Sequence, residues 1–249
     1  LATTGEDRQT PQSEGRLLLP KKEKSHNTWL LAASFSSGEG VSLANNRNQL
    51  MSGSIDKAPN DEIAGEPTFT ESVKTLTSDE FSDIEHDIPL SFGLMVRKDI
   101  TSYLGVETGL NYTYLSSKFK KEGQSNYHAK QELHYIGVPV NLVGYIWNDS
   151  KWNVYISAGG MVEKGVRSIY TQNVYQNNKK IDEFKDRNNI DGLQWSLNGA
   201  VGVSYTFFQG LGAYVEPKIS YYFDNEQPIS IRTEKNVVFG IGGGLRYKF

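Results

Sequence analysis

Cysteine is absent from the 249 residues. A chain without thiols suits an oxidising compartment, where a stray thiol would be a liability. Strong charge of one sign is also lacking: the net charge is −3, which gives no electrostatic case for nucleic acid. No apolar run approaches the ~20 residues that a membrane helix needs. That absence leaves strands open, because a membrane strand needs only ~9–11 residues, apolar at every second position. A start methionine and a signal peptide are missing too, so Leu1 is expected to be a processed or truncated end.

Alternation takes the place of long runs. The last strand sets Phe239, Ile241, Gly243, Leu245, Tyr247 and Phe249 on one face and Gly240, Gly242, Gly244, Arg246 and Lys248 on the other. The same two-residue period predicts eight strands, at about 27–37, 86–97, 102–117, 130–146, 152–165, 193–207, 211–223 and 235–249. Their connections alternate in length. Short turns fall at Arg97–Thr101, Asn148–Lys151 and Gln209-Gly210, while longer polar loops span roughly 38–85 and 166–192. An all-β, closed, eight-stranded antiparallel transmembrane barrel has this layout, with short periplasmic turns, long extracellular loops and both termini on the turn side.

Alternation alone also fits a soluble barrel of the lipocalin type, apolar within. The polar face decides between them. In the sixth strand it reads Gln194, Ser196, Asn198, Ala200, Gly202, Ser204 and Thr206, and in the eighth it is mostly glycine. A water-facing surface of that length would carry many Lys and Glu. Small uncharged residues suit the crowded inside of a narrow barrel, where eight strands leave room only for side chains. The charges on this inner face are Glu107, Glu163, Glu216, Lys218, Arg246 and Lys248. Both signs occur, so pairing is expected, with Glu107 and Glu216 facing Lys218 and Arg246 in a structural network. Aromatics gather at strand ends, as interfacial girdles require. Tyr112, Tyr114, Trp195 and Tyr221 fall on the loop side; Tyr103, Trp147, Trp152, Phe207, Tyr247 and Phe249 fall on the turn side. Pro89, Pro139 and Pro217 lie inside predicted strands and cannot donate to a ladder, so each demands a bulge or a missing bond.

The terminal pair Tyr247 and Phe249 resembles the C-terminal signal of bacterial outer-membrane barrels, which the barrel-assembly machinery reads. The stretch His134-Tyr135-Ile136-Gly137-Val138-Pro139-Val140-Asn141-Leu142 resembles the recurring Tyr-Leu-Glu-Ile-Pro-Leu pattern of the PorT-like outer-membrane β-barrel family of Bacteroidota, with Gly137 where that family often has Glu. The resemblance covers residues 27–249. It implies a barrel in the outer membrane of a Gram-negative bacterium, among outer-membrane lipid and lipopolysaccharide.

Residues 1–26 are polar, with Pro11, Pro20 and the run Lys21-Lys22-Glu23-Lys24, and read as a disordered periplasmic linker or tail. A second resemblance bears on it. Some Bacteroidota proteins join a cytoplasmic anti-sigma domain, an inner-membrane helix, a periplasmic linker and a C-terminal barrel of this kind. That resemblance implies an envelope sensor or anchor tied through the linker to an inner-membrane regulatory domain. The alternatives are a stand-alone structural or surface-binding barrel, a lipid-modifying enzyme and a small channel.

The first loop is acidic, with 10 Asp and Glu against 3 Lys and Arg between 38 and 85. Asp79, Glu80, Asp83 and Glu85 form its densest part and are the candidate contact residues. Outward carboxylates could bind calcium or magnesium beside lipopolysaccharide, but no EF-hand spacing is present and a solvated loop is the default. The four histidines, His26, His86, His128 and His134, include no short-spaced metal pair. His134 with Ser168 is the best nucleophile–base candidate at the outer rim, yet no Asp completes a triad, so no enzyme, cofactor or metal is expected.

Overall fold

The computed structural model describes residues 28–41, 83–121, 126–176, 179–225 and 227–249. The expected tail 1–26, most of the acidic first loop, and Asp79 and Glu80 lie outside them.

Among the described residues ten strands and one short helix form in the order β1 (Trp29–Val41), β2 (Asp83–His86), β3 (Leu90–Asp99), β4 (Leu104–Lys121), β5 (Asn126–Asn148), β6 (Trp152–Gln176), β7 (Lys179–Asn188), β8 (Leu193–Phe208), β9 (Leu211–Tyr222), α1 (Ile231–Glu234) and β10 (Val237–Lys248). Eight of them, β1-β3-β4-β5-β6-β8-β9-β10, close into a ring of antiparallel neighbours in which β10 pairs back onto β1. Closure removes every sheet edge from the hydrocarbon, where unpaired backbone groups could find no water. The two ends of the ring meet through Trp29 and Phe249, each amide bonding the other's carbonyl at 3.3 and 3.0 Å.

The apolar set points outward. Leu31, Phe35, Leu94, Leu110, Ile136, Val140, Leu142, Ile156, Leu197, Val201, Val215, Ile241 and Leu245 are all exposed. A lipocalin-like interior is excluded by that direction, and a lipid-facing belt follows from it. The glycines of β10 bring its backbone close to β1: a Cβ on Gly244 would stand 1.9 Å from the Ala33 carbonyl oxygen. At the turn end, Gln209 and Gly210 take positive φ of 28° and 90°, the conformation of a two-residue hairpin loop.

Two of the three prolines open the ladder without shifting it. On β4–β5, pairing runs to Thr108↔Val140 and resumes at Asn111↔Gly137, leaving a gap beside Pro139. The Thr108 hydroxyl donates to the Pro139 carbonyl at 2.8 Å within that gap. On β8–β9, pairing skips from Ala200↔Lys218 to Val203↔Val215, beside Pro217. Pro89 lies outside the strands, in the connection between β2 and β3.

The loop side departs from expectation. The stretch 166–192, read as a loop, continues β6 to Gln176 and returns as β7. All but one residue of β7 are exposed, so no apolar alternation marks it. The predicted second strand divides into β2 and β3 around Asp87–Pro89. Together β2, β4, β5, β6 and β7 rise past the barrel mouth as a wall. Along it the polarity inverts. In β5, outward Ile136, Val138 and Val140 give way above to His134, Glu132 and Lys130, while the inward side becomes Leu133 and Ala129. In β4, outward Leu110 and Tyr112 give way to Lys118 and Lys120, and inward Asn111 and Thr113 to Leu115 and Phe119. Lipid outside is thus replaced by water outside, and the inward side becomes a small core.

Candidate functional site

That core is covered by the β9–β10 connection. Ile229 packs with Phe119 and Ala129, and Ile231 and Ile190 pack with Leu115, Leu133 and Tyr135. The connection is shaped by α1, whose N-cap Ser230 exchanges hydrogen bonds with Thr233. Gln227 ties it sideways, accepting from the Tyr135 hydroxyl at 3.2 Å and donating to the Asp191 carbonyl at 2.7 Å. The result is a cap over the outer mouth.

Arg232 of α1 points down from the cap. Its guanidinium meets Glu163 of β6 at 2.7 Å, and Glu163 also accepts from the Thr113 hydroxyl at 3.0 Å. Glu163 is wholly buried and Arg232 nearly so. The Arg232 guanidinium carbon lies 4.4 Å from the Tyr222 ring centroid, a cation–π contact. Two charges withdrawn from water this far need each other and further donors, and both conditions are met here.

A second closure lies towards the turns. Arg97 of β3 donates from Nε and Nη2 to one oxygen of Glu107, at 2.9 and 2.7 Å. The Tyr155 hydroxyl donates to Glu216 at 2.9 Å and accepts from Arg246 at 3.0 Å. The Arg97 and Arg246 guanidinium carbons lie 4.8 and 4.9 Å from the Tyr155 ring centroid, so one tyrosine holds two cations by its ring and one carboxylate by its hydroxyl. The Tyr145 hydroxyl adds a bond to Asp99 at 2.8 Å. Between the closures lies a polar cavity of about 90 Å³, bordered by Asn111, Asn141, Asn198, Glu107, Glu216 and Lys218. It has room and partners for several waters.

The inner-face charges therefore split into two tiers. Glu107, Glu216 and Arg246 belong to the lower one, but Glu107 takes Arg97 as its partner, and Lys218 donates to the Ser36 hydroxyl at 2.6 Å. Glu163 belongs to the upper one. Arg97 has the inward parity of its strand, a signal masked by the turn-like residues that follow it. Arg232 sits in a connection, where no strand parity exists to point at it.

Tyr247 and Phe249 stand exposed at the turn end, ring centroids 6.0 Å apart. Asp83 and Glu85 lie in β2, where Glu85 approaches Lys120 at 3.7 Å. Beside them, the Lys118 ammonium bonds Asp87 at 2.7 Å and holds its carboxyl below the usual 3.8. Lys130 and the Tyr114 hydroxyl do the same for Glu132.

His134 and Ser168 do not meet. Ser168 pairs with Leu133, which faces inward, whereas His134 faces outward and bonds the Tyr112 hydroxyl at 2.6 Å. A different constellation exists: the Ser117 hydroxyl lies 2.7 Å from His86 Nδ1, and His86 Nε2 lies 3.0 Å from Glu234. Ser117 is only 2% exposed and lies beneath the cap, so this trio joins β2 and β4 to α1. Among the described residues no cluster of carboxylates and histidines is arranged to hold a metal ion.

The family model described as outer membrane protein beta-barrel domain matches residues 40–230. Three solved outer-membrane barrels align with most of the chain. The N-terminal barrel domain of OprF from Pseudomonas aeruginosa is 10% identical, with 91% of this chain and 100% of that one covered and a TM-score of 0.38. Neisserial surface protein A is 14% identical, with 90% and 97% covered and a TM-score of 0.39. A major outer membrane protein from Thermus thermophilus is 9% identical, with 90% and 100% covered and a TM-score of 0.46. No curated protein matches the chain.

Proposed function

The chain belongs to the outer membrane protein beta-barrel domain family, and we propose that it acts there as a non-enzymatic envelope sensor or anchor rather than as a pore. The double closure of the lumen carries this reading: Arg232–Glu163 at the mouth and Arg97–Glu107 with Tyr155 and Arg246 below. A barrel filled this way offers its loops, wall and cap to the outside and no path through. The PorT-like pattern at His134–Leu142 supports placement within the Bacteroidota. The start of β1 lies beside Phe249 on the periplasmic side, so residues 1–26 can run inward as a linker to an inner-membrane regulatory domain of the anti-sigma type. Its other partners are outer-membrane lipid, lipopolysaccharide and the barrel-assembly machinery.

The test lies in the gene that encodes the barrel and in the transcriptome. An internal apolar helix of ~20 residues preceded by a soluble domain agrees with the two-membrane reading. Removal of the barrel from that full-length protein should then change transcription from one sigma-factor regulon. A cleavable signal peptide directly upstream, or an unchanged transcriptome, would leave a stand-alone structural or surface-binding barrel.

A hydrolase is the second reading, favoured by Ser117, His86 and Glu234 standing in bonding reach. Burial of Ser117, only 2% exposed, counts against it, since a nucleophile must meet its substrate.

A further inference from the structure

The polarity inversion places the lipid–water boundary near Tyr112, Ile136 and Trp195. Directly above it, the outward face of β5, β6 and β7 gathers His134, Lys164, Arg167 and Arg187. Lys164 pairs with Ile136 and Arg167 with His134, so both share the outward face of β5. Regular alternation would send residues 164 and 167 to opposite faces. A register shift between His134 and Tyr135, accommodating Val166, brings them to the same one. Bulges re-aim side chains in this way. Arg187 pairs with Ile169, the next outward position above Arg167.

Cations set side by side on a sheet repel unless an anion joins them. Among the described residues neither the Arg167 nor the Arg187 guanidinium forms an ion pair with a carboxylate, although the Arg187 amide donates to Asp186 at 2.8 Å. Lys164 donates to the Gly192 carbonyl at 3.2 Å and forms no ion pair among the described residues. Glu132, on the same face of β5 as His134, is already engaged by Lys130 at 2.6 Å and by the Tyr114 hydroxyl. Lys164, Arg167 and Arg187 are exposed and His134 is half-buried, and the cluster is continuous with the apolar belt below it, where Ile136, Val138 and Trp195 are exposed.

We infer that His134, Lys164, Arg167 and Arg187 form a binding site for the phosphate groups of a phosphorylated glycolipid of the outer leaflet. Guanidinium forks match phosphate oxygens two at a time, and an ammonium adds a point charge. A free anion would use the cations alone; a lipid uses the cations and the belt together, which selects the lipid. The inference rests on the outer-membrane placement of the barrel and is independent of any signalling role, so the two can fail separately.

The experiment uses the full chain, refolded in detergent and checked by heat-modifiable gel mobility. Native mass spectrometry measures retention of diphosphoryl lipid A, of the same lipid dephosphorylated, and of lipid A in the presence of equimolar inorganic phosphate. Retention should fall about tenfold or more on dephosphorylation, and equally in Arg167→Gln/Arg187→Gln. Inorganic phosphate should not displace the lipid, and Lys179→Gln, at the far end of β7, should bind as the wild type does. If the double variant fails to fold, Lys164→Gln takes its place with a smaller loss expected. Retention indifferent to phosphate, unchanged binding in the folded variants, or displacement by inorganic phosphate would each overturn the assignment.

Discussion

Arg232 Nη1 lies 2.7 Å from Glu163 Oε2, across a sequence separation of 69 residues, with almost no solvent on either side. One comes from a short helix above the mouth and the other from the wall of the barrel. Removing Arg232 alone would leave a buried, unpaired carboxylate, which costs about 3–5 kcal/mol. Arg232→Ala should therefore loosen the cap, seen as new cleavage by protease between 223 and 236. Arg232→Ala with Glu163→Gln should restore much of the protection. Equal cleavage in the single and double variants would show that the pair does not hold the cap.

Planar bilayers containing the barrel should show no large steady conductance. Shortening the cap should not create one, because Arg97, Glu107, Tyr155 and Arg246 still fill the lumen below it. A steady current in the wild type would promote the small-channel alternative.

His86→Ala and His134→Ala should each leave the mass of lipid A unchanged in cells that express the protein. His86→Ala should instead weaken attachment of α1 to β2 and β4. Loss of an acyl chain that depends on His86 would overturn the non-enzymatic reading.

Acid should loosen the β2 end of the wall. Asp87 is held below its usual carboxyl range by Lys118, first through their hydrogen bond. A group whose pKa is depressed by folding stabilises above its unfolded value, and that contribution is lost as pH falls through the folded one. The loss therefore belongs below about pH 4. Exchange of the Asp87 amide, which bonds the Ser116 carbonyl at 2.9 Å, reports it. Lys118→Met should move the loosening to higher pH, and protection that stays constant between pH 5 and 3 would contradict this.

Phe249→Ala and Tyr247→Ala should lower the fraction of heat-modifiable barrel in cells while leaving refolding into detergent intact. Their rings are exposed and close no part of the core. An equal defect in both settings would assign them to stability instead of assembly.

Much of the ring was legible because alternation is a local property. Leu94, Val140 and Leu197 announce their face by parity, and the structure keeps them outward. Pairing partners are not local. Glu107 finds Arg97 through the β3–β4 register, and no spacing in the chain displays that. Arg97 carries the inward parity of β3 but stands two residues from the strand's end, where the sequence also reads as a turn. The wall was illegible for a different reason: β7 is wet on both faces, so nothing in its sequence alternates. The cap was hidden because Ile229, Ile231 and Arg232 bury themselves through a connection with no period at all.

The inversion of polarity along β4 and β5 also fixes how high the molecule floats. A slide of two residues along a strand moves it about 7 Å. Inward, that step would drag Lys130 and His134 towards hydrocarbon; outward, it would lift Ile136 and Leu110 into water. Opposed penalties on the same strands hold the barrel at one depth. The rim of β2, the top of β7 and the cap are thereby held at a constant height above the lipid headgroups.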